Sequence, residues 1–172
     1  MNDEFAVDEN GLTSDGYRVL PPVSKKAMYV YNIIRFAIVS VFFGLIIHFS
    51  GQMFGSYQDL VCTGLMILYV VIVIYLIVGP VIFYKRYRYR IDDEKAEIRR
   101  GIVTISHTLV PIERIHQVEV ARGPINRMFG LANVVITTAG GVSTLDMLDE
   151  ATAESVAAKL NETVVRLLKD RD

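Results

Sequence analysis

Glu113, His116 and Glu119 recur at intervals of three, with His107 shortly before them, and all are residue types that ligate metals. On a helix that spacing would gather them on one side. The surrounding run IERIHQVEV instead alternates as a strand does, so residues three apart point to opposite faces and no metal centre is expected. Ser106-His107 pairs a hydroxyl with an imidazole, but no Gly-x-Ser-x-Gly elbow presents a nucleophile. Gly140-Gly141 lacks the Lys-Ser/Thr of a phosphate loop and reads as a hairpin turn. The single cysteine, Cys62, closes no internal disulfide and has no nearby histidine with which to build a zinc site. The expectation is therefore no enzyme, no cofactor and no catalytic residue.

What remains is cationic. Lys85, Arg86, Arg88 and Arg90 form a basic cluster directly after a long apolar run. Beside a membrane, anionic headgroups would attract each base by ~1 kcal/mol. These four are the candidate lipid-headgroup contacts, and Arg99 and Arg100 would join them if the chain folds back as a hairpin. Over the whole chain 18 Lys and Arg face 19 Asp and Glu, a net charge of −1, so no nucleic-acid partner is indicated.

The elements that position these bases begin in the membrane. Hydrophobic residues make up 52% of the 172, concentrated in two stretches. Ala27–Phe49 is mostly apolar, interrupted by Asn32, Arg35 and His48, and Leu60–Tyr84 contains no charge at all. A run of ~20 apolar residues crosses the hydrocarbon core as a helix, which predicts a hairpin over 27–84 with spans near 29–49 and 60–84. Asn32 and Arg35 are expected near a membrane surface. Lys25, Lys26 and Arg35 open the first span and the basic cluster follows the second, whereas the connecting loop 50–59 has neither lysine nor arginine. The positive-inside bias then puts both termini in the cytoplasm of a multi-pass inner-membrane protein. Residues 1–26, with five acids, two prolines and two glycines, read as a polar flexible segment.

Residues 85–172 read as a cytoplasmic domain. Tyr87–Ile91 and Ala96–Arg100 flank a polar turn as a β-hairpin. Ile102–Pro111 and Glu113–Ala121 give two more strands, the last slipping register between Ile115 and Val118 as a bulge would. Pro124 to Gly130 has the proline start and glycine end of a short helix, and Arg127 within it is expected to tie down a turn. Strands over Asn133–Ala139 and Val142–Met147 meet at Gly140-Gly141. A final helix capped by Asp149 turns one apolar face, including Ala153, Val156, Leu160 and Leu167, toward the sheets. The class is α+β: a two-helix transmembrane hairpin, then an antiparallel β-barrel or sandwich closed by a C-terminal amphipathic helix.

Several motifs in this domain carry a resemblance. They are the basic-glycine Arg100-Gly101, Pro111-Ile112-x-Arg114-Ile115, Gly123-Pro124-x-x-Arg127-x-x-Gly130-Leu131 and Thr138-Ala139-Gly140-Gly141. Together they resemble the bacterial pleckstrin-homology-like (bPH2-type) domain of YdbS-like membrane proteins, and the preceding hairpin fits the same layout. The resemblance implies a PH-like module, no established enzymatic activity and a role in the cell envelope. In that frame Gly101, Pro111, Arg114, Gly123, Pro124, Arg127, Gly130, Gly140 and Gly141 are structural motif positions. The expected function is a non-enzymatic interaction module assembling with a protein partner or with its own copies. A lipid-headgroup sensor and an accessory subunit of a transporter or membrane enzyme are the alternatives. A phosphoinositide pocket is not implied, because the first hairpin turn, Asp92-Asp93-Glu94-Lys95, is acidic.

Overall fold

The computed structural model describes residues 12–13 and 15–169, with side chains for all of these but 51–54 and 167–168. It divides into two units, one comprising 28–82 and the other the remainder on either side of it.

The first unit is built from two helices, α1 (Val23–Phe54) and α2 (Gln58–Arg86), whose outer ends belong to the second unit. A 3-10 turn over Gly55–Tyr57 joins them, so most of the expected loop 50–59 is helical and the reversal is tight. The apolar windows of the two helices are only 6% and 11% buried. A core helix of a water-soluble protein would be covered; these side chains need a lipid solvent. The helices run antiparallel, Ser40 Oγ lying 2.9 Å from Tyr69 Oη and Ser50 Oγ 3.4 Å from Cys62 Sγ.

Pro80 lies inside α2 and has no N–H to offer the carbonyl of Leu76 one turn earlier. Asn32 of α1 supplies the missing donor, its Nδ2 standing 2.6 Å from Leu76 O. Asn32 is thus a bond between helices as well as a polar interruption of the first span. In hydrocarbon such a carbonyl finds no water, which is why a neighbouring helix must serve it.

The second unit contains six strands in two antiparallel sheets, ordered β1-β2-β3 and β4-β5-β6. They are β1 (Arg88–Ile91), β2 (Lys95–Arg100), β3 (Ser106–Pro111), β4 (Ile115–Ala121), β5 (Leu131–Thr138) and β6 (Gly141–Asp149). Of the two forms expected, barrel or sandwich, the ladders give two separate sheets. α3 (Pro124–Met128) bridges β4 to β5, and α4 (Glu150–Lys169) packs on β4, β5 and β6. Its face is the predicted one: Ala153 and Leu160 are fully buried and Val156 nearly so, and Asp149 Oδ2 accepts the Thr152 amide at 2.8 Å. The side chain of Leu167 lies outside the described residues.

Three local readings need correction. Ile102 and Thr104 are not in a strand: β3 starts at Ser106, and 101–105 forms a loop entered at Gly101 with φ +152. Glu113 lies in a 3-10 turn, Ile112–Arg114, because Pro111 and the carbonyl of Glu94, which accepts the Ile112 amide, bend the chain out of the ladder. The β5–β6 turn is Ala139-Gly140, one position earlier than read, since Thr138 pairs with Gly141. The bulge expected between Ile115 and Val118 is present between Ile115 and Gln117.

The lead-in read as flexible over 1–26 is packed where it is described; residues 1–11 and 14 lie outside. Thr13 and Tyr17 close a turn through Thr13 N to Tyr17 O at 2.8 Å, with Gly16 at φ +75 inside it. Arg18 then pairs antiparallel with Tyr89, amide to carbonyl in both directions at 2.7 and 3.0 Å, extending the open edge of β1. Tyr17 and Leu20 are buried. Covering an edge and burying two large side chains at ~1.5–3 kcal/mol each outweigh the polar composition that suggested flexibility.

Candidate interaction cleft and juxtamembrane bases

The four bases after α2 are placed differently from one another. Lys85 is exposed. Arg86 donates to the carbonyl of Ile102 at 2.5 Å. Arg88 donates to the carbonyl of Tyr87 at 2.7 Å, and partial burial lowers its pKa. Arg90 is held by Asp92 at 2.9 Å, which raises its pKa. The two expected additions are also engaged: Arg99 lies 4.4 Å above the Tyr17 ring, and Arg100 pairs with Asp146 at 2.7 Å. Burial raises the Asp146 carboxyl although Arg100 opposes it. This last pair ties β2 to β6, and the Asp146 amide adds a bond to Tyr87 Oη at 2.8 Å.

Eight of the nine motif positions fall into two groups, with Arg127 in neither. Gly101, Gly123, Pro124 and Gly130 shape backbone. Pro124 opens α3 behind Gly123 as its N-cap, and Gly130 at φ +63 ends the segment, its carbonyl accepting the Glu150 amide at 3.1 Å. Arg127 is exposed, and among the described residues its guanidinium ties down no turn. That work is done by a residue the sequence did not single out. Asn126, 2% exposed, donates to Asn133 Oδ1 at 3.0 Å, and the same oxygen accepts the Met147 amide at 2.8 Å. Met147 sits at φ 54 opposite Asn133, where β6 slips register against β5, and its carbonyl accepts Ser24 Oγ at 2.7 Å. An asparagine inside the apolar strand LANVVITT was the available signal: a half-buried amide among apolar strand residues needs partners.

The other group converges. Pro111, Arg114, Gly140 and Gly141, from two separate segments of the domain and from both sheets, line one open cleft of about 290 Å³. Its remaining wall is Thr108, Leu109 and Val110 of β3 together with Thr138, Val142 and Ser143. Thr138 Oγ1 donates to Gly141 O at 3.0 Å and accepts the Gly140 amide at 3.2 Å, which fixes the turn forming the rim. Gly141, at φ +137, holds a backbone that an L side chain rarely adopts. Leu109 and Val142 are 52% and 64% exposed on the cleft. Arg114 is exposed beside them, and no partner for its guanidinium is found among the described residues. Arg114 is the one charged residue of this lining, and its guanidinium presents a planar fork of donors. The lining thus combines one guanidinium with exposed apolar side chains and the hydroxyls of Thr108, Thr138 and Ser143.

The polar candidates weighed for chemistry are dispersed. His107 Nε2 stands 3.3 Å from Glu97 Oε2, an oxygen that also accepts the Tyr17 hydroxyl, while Lys95 Nζ reaches Oε1 at 2.7 Å. Lys95 first, then Tyr17, holds the Glu97 carboxyl at a pKa of about 2. Among the described residues no three His, Cys, Asp or Glu side chains are grouped to hold a metal ion.

Residues 33–164 match the family model described as Bacterial PH domain. The chain belongs to this family. The match takes in the α1–α2 hairpin as well as both sheets and most of α4, so the two-sheet unit is a PH-like domain on a helical hairpin. UPF0699 transmembrane protein YdbS of Bacillus subtilis (strain 168) is 25% identical over 166 residues, 95% of each chain. UPF0699 transmembrane protein YdbT of the same organism is 27% identical over 96 residues, which is 56% of this chain and 20% of that protein. No solved structure matches. The two apolar helices and the transmembrane relatives make this a YdbS-like membrane protein, as the motif resemblance implied.

Proposed function

We propose that this protein is a non-enzymatic, membrane-anchored interaction module of the bacterial cell envelope. Its PH-like domain lies at the cytoplasmic face of the plasma membrane, with both termini on that side, and holds another membrane protein. The observation that carries this reading is the cleft: two motif runs separate in sequence meet there, and its lining sets the Arg114 guanidinium, without a partner among the described residues, together with exposed Leu109 and Val142. Such a surface suits a partner segment with an acidic side chain beside apolar ones. The apolar contacts supply most of the affinity and the bidentate arginine supplies the orientation. Headgroup recognition by Lys85, Arg86, Arg88 and Arg90 has less in its favour, since three of those four guanidinium or ammonium groups are already hydrogen-bonded within the chain.

Purification from native membranes in mild detergent tests the reading. The expected result is a protein partner that stays bound through a high-salt wash and through replacement of Arg86, Arg88 and Arg90 by glutamine. The paired variant Arg114→Glu, Val142→Asp should lose it. Retention by that variant would overturn the assignment to the cleft. Tight, headgroup-selective vesicle binding that survives salt and disappears with the triple substitution would move lipid recognition to first place.

A further inference from the structure

The loop between β2 and β3 carries no charge and presents apolar side chains outward: Val103 is 86% exposed and Ile105 59%. It is held in shape on three sides. A Cβ at Gly101 would lie 1.9 Å from Thr104 O, so only glycine permits the loop's closure. Ser106 Oγ bonds to Arg100 O at 3.1 Å across its base. Arg86 Nη1 bonds to Ile102 O at 2.5 Å near its tip. Arg86 is the last residue of α2 and, with Lys85, follows the run 60–84 that carries no Lys or Arg, so by the charge pattern it stands where hydrocarbon gives way to headgroups. The loop is tethered to that residue through the Ile102 carbonyl. Water is a poor solvent for two branched aliphatic side chains fixed in the open, whereas the headgroup–acyl boundary accepts them readily.

We propose that the β2–β3 loop dips Val103 and Ile105 into the interfacial layer of the bilayer that α2 leaves, giving the domain a second point of attachment to the membrane. The occupant is the lipid surface itself, and no particular headgroup is required. The inference rests on α2 being a membrane span, so the test carries a control for that.

The full chain, with Cys62→Ser and one new cysteine at Val103, is labelled with an environment-sensitive fluorophore and reconstituted in phosphatidylcholine vesicles. Separate preparations carry the label at Val71 of α2 and at Val142. The label at 103 should emit blue-shifted relative to that at 142. It should be quenched by lipids bearing a nitroxide at the headgroup and stay quenched at high salt. The label at 71 should be quenched by a nitroxide deep in the acyl chain. If 71 is quenched while 103 is as wet and unquenched as 142, the loop does not enter the bilayer. A blue shift at 103 without nitroxide quenching would mean that protein covers it, and quenching that vanishes with salt would mean charge attraction alone; either overturns the insertion. An unquenched label at 71 would fail the span reading, and the proposal with it.

Discussion

Glu97 concentrates the electrostatics of the N-terminal arm. It is 6% exposed and serves Lys95, Tyr17 and His107 together. Its pKa of about 2 in the folded chain lies below the ordinary 4.5, so the folded state favours the ionised form. The resulting stabilisation is complete above about 4.5 and is lost as pH falls toward 2. The difference in melting temperature between the wild-type chain and Glu97→Gln, followed from neutral pH to pH 2 in detergent, should therefore shrink through that window. A difference independent of pH would place the arm's anchor elsewhere. Tyr17→Phe should cost about 1–3 kcal/mol, because it strips a buried carboxylate of a donor. Asn32 makes the corresponding case in the membrane. Asn32→Leu leaves Leu76 O without a donor beside Pro80 and should destabilise the hairpin by about 0.6–2 kcal/mol in a detergent-unfolding titration. An unchanged titration would show that the carbonyl finds another partner.

At the scale of elements, legibility followed how local the determining physics is. The two apolar helices were legible because ~20 residues without charge form a helix long enough to cross hydrocarbon, and α4 was legible because its period, its Asp149 cap and its dipole-matched charges agree. The bulge at Ile115–Gln117 showed as a slipped alternation. Strand β3 was read too long because Ile102, Val103 and Thr104 are β-branched, while the loop they form is set by Gly101 and by Arg86 from another element. The arm was missed because its pairing residue, Tyr89, is remote in sequence, and no property of residues 12–20 announces an edge waiting in β1. The Asn126–Asn133–Met147 network was missed likewise, since one buried asparagine does not say which amide it will meet. The consequence for α4 is quantitative. Leu160 is fully buried, so Leu160→Ala should cost about 2–5 kcal/mol, read as a lowered denaturant midpoint of the domain's unfolding transition. An unchanged midpoint would mean that α4 contributes no core.

For the whole molecule, the motif positions were legible as motifs but their convergence was not. Pro111, Arg114, Gly140 and Gly141 share a cleft only because β3 of one sheet and the β5–β6 turn of the other are brought to the same place. Of the basic cluster, read from sequence as candidate headgroup contacts, Arg86, Arg88 and Arg90 also bond within their own chain. Membrane orientation belongs to this scale too. With Cys62→Ser as background, Tyr57→Cys, at an exposed position between the helices, should react with an impermeant maleimide from outside intact cells, and Gly140→Cys only after lysis. Labelling of both from one side would contradict the hairpin orientation.

The central claim is that the cleft holds a protein. Its most direct test is photo-crosslinking in living cells, with a photoreactive amino acid at Val142 on the cleft and, for comparison, at Glu119, exposed on β4 and outside it. The account predicts one discrete adduct with a membrane protein from position 142, none from 119, and loss of the adduct with Arg114→Glu. Equal crosslinking from both positions, or an adduct at 142 indifferent to Arg114→Glu, would contradict it.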